Sequence, residues 1–217
     1  MIRALPLVGL LFACAPSIAA DGNQPSHPAP PAAKGQGVAI FASGCFWCSE
    51  YDFEQVPGVI DAVSGYAAGR TKRPTYKQVT TGSTGHTEAI RVIYDPAVVS
   101  YGDLLEHFWR TVDPFDDGGQ FCDRGSQYRG AILPLDPSQR TQAQNSLRRM
   151  ERVFGKKIKV KIEDPGIFWV AEDYHQDFYK KNPAHYKRYR WGCGRDQRVQ
   201  TIWSQVPENR SRTLRTP

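Results

Sequence analysis

Between residues 38 and 162 the sequence alternates short apolar runs with stretches of helical period, and their order limits the topologies open to the chain. The order is strand, helix, strand, strand, helix, strand, followed by one further helix and one further strand. This alternation predicts the split βαβ core of ferredoxin-like α+β folds. We therefore expect a mixed, largely antiparallel sheet with helices packed against it, an extra helix and strand, and a loop-rich C-terminus.

The first predicted strand and helix meet at a cysteine. Val38-Ala39-Ile40-Phe41 is a short apolar run that ends at Ser43-Gly44, which predicts a buried strand and a turn. Cys45 follows, and a helical pattern continues through Val56 to Pro57-Gly58. The positive end of a helix stabilises a thiolate, so we expect a lowered pKa for the Cys45 thiol. The alternatives are an ordinary buried cysteine or half of a structural disulfide.

The hydrophobic periodicity and the turn-forming residues between apolar stretches predict the later helices and strands. Thr87–Tyr94 alternates, which predicts a strand with Glu88, Ile90 and Val92 on one face. The remaining predictions are a strand over 59–66, a helix capped by Ser100, a strand over 131–133, a helix over 138–153, a strand over 158–162 and a helix over 172–181.

The N-terminal segment has the layout of an export signal. Residues 1–20 begin with one basic residue, Arg3, continue in an apolar run and end in small residues. The apolar run is too short to span a bilayer as a mature helix. We therefore expect cleavage near Ala20 and export to the bacterial periplasm. In the alternative, Cys14 is lipidated and anchors the protein in the envelope, and only in that case do we expect contact with a membrane.

Composition divides the rest of the chain. Residues 21–37 are rich in Pro, Ala, Gly and Ser, which predicts a flexible linker. Residues 38–203 suit one folded domain with its own core, which we expect to be monomeric, and residues 204–217 form a polar, basic tail. The net charge of +6 is concentrated late in the chain among aromatic residues. Such runs can bind nucleic acid, but in an exported protein we interpret them as solvated surface and expect no nucleic-acid partner.

The cysteines allow two interpretations. Apart from Cys14 they are Cys45, Cys48, Cys122 and Cys193, and four cysteines in an exported chain suggest two structural disulfides. However, a domain of this length can form a core without cross-links, and the spacing of Cys45 and Cys48 is typical of a redox pair. A zinc site is disfavoured because the histidines lack the close pairing of metal ligands, so we expect no metal.

Several motifs, taken together and in order, resemble the peptide methionine sulfoxide reductase A family. They are Gly44-Cys45-Phe46-Trp47, Val63–Tyr66, Gly85–Glu88, Asp123–Arg129 and Glu172–Gln176. The resemblance implies reduction of the S-epimer of methionine sulfoxide, free or in oxidised proteins, without a metal or organic cofactor. It also implies a thioredoxin-like dithiol as reductant.

The resemblance implies roles for two reacting groups. Cys45 is the nucleophile and becomes a sulfenic acid as methionine departs. Glu88 is the acid that protonates the sulfoxide oxygen. A carboxylic acid donates a proton at neutral pH only if burial raises its pKa, and the strand face shared with Ile90 and Val92 predicts such burial.

Five further residues take their roles from the same resemblance. Tyr76 and Tyr128 bind the sulfoxide oxygen through their hydroxyl groups, and Asp123 helps to hold the substrate. Phe46 and Trp47 form the pocket for the methyl group, which suits the favourable contact of sulfur groups with aromatic rings.

A second thiol must condense with the sulfenic acid to form a disulfide. The resemblance points to a resolving cysteine near the C-terminus, and Cys193 occupies that region with glycines on both sides. Cys48 is the alternative, because its spacing allows a direct bond to Cys45. A disulfide between Cys48 and Cys122 is a further hypothesis.

Two other functions compete with sulfoxide reduction. A general Cys-x-x-Cys thiol–disulfide oxidoreductase explains Cys45 and Cys48 but leaves Glu88, Asp123 and Tyr128 without roles. A non-enzymatic exported domain with two structural disulfides predicts no reactive thiol.

Overall fold

The computed structural model describes residues 26–207. The predicted export signal, Cys14 and nearly all of the basic tail lie outside these residues. Within residues 26–207, no helix has the length and apolar character needed to cross a membrane.

A seven-stranded sheet forms the centre of the fold. The strands of the described chain are β1 (His27–Pro28), β2 (Gly37–Ser43), β3 (Val59–Ala67), β4 (Thr87–Tyr94), β5 (Gly119–Gln120), β6 (Asp123–Arg124), β7 (Gly130–Ile132), β8 (Lys161–Ile162) and β9 (Trp169–Val170). The large sheet has the order β1-β9-β3-β4-β2-β7-β8, and β5 pairs with β6 separately. Its neighbouring strands are antiparallel except β7 and β8. The central order β3-β4-β2-β7 is that of a ferredoxin-like sheet, so the predicted fold class is confirmed.

Seven helices accompany the sheet in the described residues. They are α1 (Phe46–Glu54), α2 (Tyr76–Thr80), α3 (Tyr101–Trp109), α4 (Pro137–Phe154), α5 (Phe178–Lys181), α6 (Pro183–Gly192) and α7 (Arg195–Ser204). The N-cap of α3 is Ser100, as predicted, in a capping box with Asp103. Helix α4, predicted over 138–153, begins at Pro137 with Asp136 as its N-cap, because proline fits the first helical position.

The main core fixes α1 against the sheet. Phe41 of β2 stacks on Phe53 of α1, with ring centroids 5.0 Å apart, and on Phe108 of α3 at 5.4 Å. All three rings are fully buried, and each contributes about 1.5–3 kcal/mol of burial free energy. These rings therefore pack α1 against β2 and α3.

The C-terminal part differs from the prediction. Residues 172–177 form turns instead of the first part of a predicted helix, because the Gln176 side chain hydrogen-bonds the backbone of Ser64 and of Ala171. Pro183 does not end helical structure but occupies the start of α6. The predicted loop-rich C-terminus is thus helical through α6 and α7.

Two shorter segments also differ. The predicted strand over 158–162 is reduced to Lys161–Ile162. His27–Pro28, within the segment predicted as linker, instead pairs with Trp169–Val170 at the edge of the sheet. The flexible linker therefore does not extend over all of residues 21–37.

Candidate active site

Cys45 is the N-cap of α1 and directly follows β2, as the strand–glycine–helix pattern predicts. Gly44 has a φ of 87°, and a Cβ there would lie 2.6 Å from the Cβ of Gln120. Only glycine fits this left-handed turn without displacing a neighbour. The turn leaves Cys45 buried, with 6% of its surface exposed.

Cys48 lies one turn further along α1, and both cysteines are free and buried. Burial and the hydrogen bond to Cys48 raise the pKa of the Cys45 thiol well above its usual value. The pKa of Cys48 is lowered because Cys45 donates a hydrogen bond to it and because Arg195 and Arg190 lie nearby. The prediction of a lowered pKa for Cys45 is therefore wrong, because burial and the hydrogen bond to Cys48 both favour the neutral thiol.

Glu88 lies on β4 opposite Tyr66 and is 2% exposed. Its Oε2 accepts a hydrogen bond of 3.0 Å from the backbone N–H of Phe46, the residue after Cys45. Burial raises the pKa of Glu88 well above its usual range, and the nearby Asp123 adds to this effect. The burial predicted for Glu88 is confirmed, and this burial favours the neutral acid form of the carboxyl group beside the Cys45 thiol.

Tyr76 and Tyr128 bring two hydroxyl groups to the same place. Tyr76 begins α2, and Tyr128 ends a 3₁₀ turn formed by Ser126–Tyr128. Their side chains are hydrogen-bonded to each other. Burial raises the pKa of both phenols, and Glu88 and Cys45 raise it further. Two neutral O–H donors therefore accompany the acid and the thiol.

An aromatic wall adjoins Cys45. The Phe46 ring lies 4.8 Å from that of His175 and 6.5 Å from that of Tyr76. Trp47 stacks on Phe178 at 3.7 Å, and its Nε1 donates to Nδ1 of His175 at 3.0 Å. Burial lowers the pKa of His175 to about 3, so the ring is neutral and its Nδ1 is an acceptor. The resemblance gives His175 no separate role, whereas the structure shows that it holds Trp47.

Asp123, on β6, is the last of the predicted site residues, and it contacts α6. Its Oδ2 accepts a hydrogen bond of 2.5 Å from the hydroxyl of Tyr189, which also contacts the sulfur of Cys45. Burial raises the pKa of Asp123, while Tyr189 and Arg195 oppose the rise. Sequence reasoning missed Tyr189, because no local pattern distinguishes it from the other aromatic residues among the late basic residues.

Cys122 and Cys193 form a disulfide, with their Cα atoms 4.9 Å apart. The hypothesis of a bond between Cys48 and Cys122 is therefore wrong, because Cys48 is a free thiol. The resolving role of Cys193 stays a prediction, and in this structure Cys193 is held by Cys122. The thiol in contact with Cys45 is that of Cys48.

Two clusters of potential metal ligands occur among residues 26–207, and neither favours a metal. They are Cys122, Asp123 and Cys193, and Glu50, Glu54 and Asp177. Both sulfurs of the first are in the disulfide, so neither is a thiolate ligand. In the second, Lys180 already forms ion pairs with Glu54 and Asp177 and offsets part of their charge.

Residues 37–207 match the family model described as peptide methionine sulfoxide reductase. The chain belongs to this family. It is 46% identical over 197 residues to peptide methionine sulfoxide reductase MsrA 2 of Caulobacter vibrioides, over 90% of this chain and 93% of that one. It is also 46% identical over 168 residues to the MsrA of Bacillus subtilis, and this match covers 76% of this chain and 95% of that one. The solved methionine sulfoxide reductase A of Corynebacterium diphtheriae has a TM-score of 0.65 and 32% identity, over 70% of this chain and 77% of that one.

As a peptide methionine sulfoxide reductase, the protein is an oxidoreductase that acts on methionine sulfoxide. Enzymes of this family use thiol chemistry, with thioredoxin as reductant and without a metal or prosthetic group. The resemblance stated from the motifs is confirmed. The competing interpretation as a non-enzymatic exported domain is wrong.

Proposed function

We propose that this enzyme reduces the S-epimer of methionine sulfoxide, free or in proteins, through a Cys45 sulfenic acid that Cys48 resolves. One observation carries the proposal: the buried Glu88 carboxyl group accepts a hydrogen bond from Phe46 N–H beside the Cys45 thiol. Thiol–disulfide exchange expels no oxygen, whereas sulfoxide oxygen leaves sulfur only when it is protonated. The preference for the S-epimer rests on the family resemblance.

The first step transfers one oxygen atom. The sulfur of Cys45 attacks the sulfoxide sulfur while Glu88 gives its proton to the oxygen, and Tyr76 and Tyr128 donate hydrogen bonds to that oxygen. The sulfur–oxygen bond breaks, the hydroxyl group passes to Cys45, and methionine leaves as a thioether. Methionine sulfoxide is reduced by two electrons and Cys45 is oxidised by two. The thiol proton of Cys45 restores the acid form of Glu88.

The second step forms a disulfide. The sulfur of Cys48 attacks that of the Cys45 sulfenic acid, a sulfur–sulfur bond forms, and water leaves. The contact between the two thiols and the lowered pKa of Cys48 support this assignment, because the thiolate is the attacking form. Cys193 would first have to leave its bond with Cys122. A thioredoxin-like dithiol then reduces the Cys45–Cys48 bond by exchange.

The test measures methionine formed per enzyme without reductant, and then turnover with thioredoxin. We expect about one methionine and a Cys45–Cys48 disulfide from the wild type, and no methionine from Cys45→Ser. Cys48→Ser should form one methionine and a sulfenic acid that dimedone traps, but should not turn over. Normal turnover by Cys48→Ser would rule out Cys48 as the resolving thiol. Supplying each sulfoxide epimer separately tests the stereochemistry.

Export to the periplasm is also proposed, from the signal-like residues 1–20. The electron donor would then be a thioredoxin-like protein of the envelope. N-terminal sequencing of the protein from a periplasmic fraction should begin near Asp21. A diacylated Cys14 at the N-terminus would support the lipid anchor instead.

A further inference from the structure

The Cys122–Cys193 disulfide joins the segment around β5 and β6 to the turn between α6 and α7. Residues on either side of each cysteine also meet across this junction. The contacts are Arg195 over the Phe121 ring at 4.5 Å and Tyr189 to Asp123 at 2.5 Å. The successive residues Phe121, Cys122 and Asp123 therefore each contact a residue of α6, of α7 or of the turn between them. The disulfide of Cys122 is the middle one of these three contacts.

The same helices bring two cations towards Cys48. Arg190 of α6 and Arg195 of α7 lie on either side of Cys193 in the chain, and both bind the Asp52 carboxylate, at 2.8 and 3.5 Å. Asp52 lies four residues after Cys48 on α1, so the two side chains share a helix face. The cations that favour a Cys48 thiolate thus come from the segment that the disulfide tethers.

Arg195 also supports the strand that leads to Cys45. Its guanidinium donates to the backbone oxygens of Ser43 at 2.9 Å and of Thr111 at 2.5 Å, and the residue is 2% exposed. A displacement of α7 would therefore disturb both reactive thiols.

Few fully buried side chains lie on α6 and α7, although Tyr189 and Trp203 are partly buried against the hydrophobic clusters. Tyr186 is the buried residue of α6, and Arg195 and Ile202 are those of α7. Elements with few buried apolar side chains open at low free-energy cost, whereas a cross-link limits the conformations open to a segment. The cross-link at Cys193 therefore adds a covalent restraint to the partly buried contacts of these two helices.

We propose that the Cys122–Cys193 disulfide is a positioning cross-link, outside the catalytic cycle, that keeps Arg190 and Arg195 beside Cys48. The proposal rests on the proposed role of Cys48 as the resolving thiol. Electrons pass only through Cys45 and Cys48, and the Cys122–Cys193 bond stays intact during turnover. The titratable and charged groups that act on Cys48 are Cys45 and Asp52 of α1, Glu88 of β4, Tyr186 and Arg190 of α6 and Arg195 of α7.

The test compares the double variant Cys122→Ser, Cys193→Ser with the wild type. The first readout is the pH profile of Cys48 alkylation, measured in a Cys45→Ser background so that Cys48 is the one reactive thiol among residues 26–207. We expect the midpoint to move to higher pH by about one unit, which is about tenfold less thiolate at neutral pH. The second readout, in the Cys45 enzyme, is formation of the Cys45–Cys48 bond after one turnover. It should slow about tenfold, while the yield stays near one methionine per enzyme.

A matched control keeps the disulfide. Lys159→Gln removes an exposed ion pair with Asp117, in the same loop region as Cys122. We expect its alkylation profile and its rate of disulfide formation to equal those of the wild type.

Three results would overturn the proposal. They are an unchanged alkylation profile in the double variant, a Cys45–Cys193 bond in the oxidised wild type, and loss of hydrogen-exchange protection beyond residues 183–204. The last result would show a cross-link needed by the whole domain, and it separates misfolding from displacement of α6 and α7. Failure of Cys48 as the resolving thiol is detected independently by normal turnover of Cys48→Ser.

Discussion

The hydroxyl of Tyr189 donates a hydrogen bond of 2.5 Å to Asp123 and contacts the sulfur of Cys45. Tyr189 lies on α6, far from Cys45 in the chain, so a C-terminal helix completes the site formed by α1 and β4. The contact gives Tyr189 two roles, since its hydroxyl holds the Asp123 carboxyl group and lies against the reacting sulfur.

Replacing Tyr189 with Phe should lower kcat/KM for methionine sulfoxide about tenfold. A hydrogen bond to a charged group contributes about 1.5–3 kcal/mol, and its loss leaves Asp123 with one partner fewer. Steady-state kinetics with a thioredoxin system measure the effect. Tyr179→Phe is the control, because Tyr179 donates to Glu54 outside the site. Equal losses in the two variants would mean that the Tyr189 hydroxyl has no special role in the site.

Replacing Glu88 with Gln should slow methionine formation in a single turnover by about a hundredfold or more, because an amide does not supply the proton. The raised pKa of Glu88 also sets a pH dependence. The acid form is present at low pH and is lost as pH rises through that pKa, so the wild-type rate should fall on the alkaline side. This Glu88-dependent decline should be absent in the variant. Glu151→Gln, on the outer helix α4, should match the wild type, and a comparable loss there would count against the assignment.

Local patterns predicted the elements that carry the nucleophile and the acid. The alternation of Thr87–Tyr94 gave the bounds of β4 as observed, and the glycine turn before Cys45 placed the start of α1. These features depend on side-chain period and backbone freedom, which a short stretch of sequence contains.

Features that depend on distant contacts were not predictable in the same way. The pKa of Cys45 follows from burial and from Cys48, and the partner of Cys193 follows from the docking of α6 and α7 on the loop that carries Cys122. The turns before α5 form because the Gln176 side chain hydrogen-bonds the backbone of Ser64 on β3. The hydrophobic periodicity of a local segment does not indicate which distant residues it will contact.

Replacing His175 with Leu should raise KM about fivefold to tenfold with a smaller change in kcat. The variant leaves the Trp47 indole N–H without its acceptor, so the ring beside the substrate methyl group loses its fixed orientation. His175→Asn can offer a side-chain oxygen as acceptor and should recover most of the affinity. Because the pKa of His175 is about 3, its titration should produce no inflection in KM between about pH 5 and 8. Identical KM values for the Leu variant and the wild type would contradict the positioning role.

Glu50 should make the protein less stable as pH rises towards neutrality. The residue is 1% exposed and accepts hydrogen bonds from Ser64 and from the backbone N–H of Asp177. Burial raises its pKa from 4.5 to about 7, so the folded state binds the proton more tightly than the unfolded state. Its favourable contribution is fully present below about pH 4.5 and is lost as pH rises through about 7.

The contribution of Glu50 to the free energy of unfolding that is lost as pH rises through its pKa is on the order of 3 kcal/mol. Glu50→Gln should therefore show a smaller decline in the free energy of unfolding between about pH 5 and 8. Its amide retains an acceptor for Asp177 and a donor for Ser64, so the fold should be preserved. Urea unfolding at several pH values, with the disulfide intact, measures the difference. If the wild type and the variant declined in parallel, the pH dependence would have to arise from other groups.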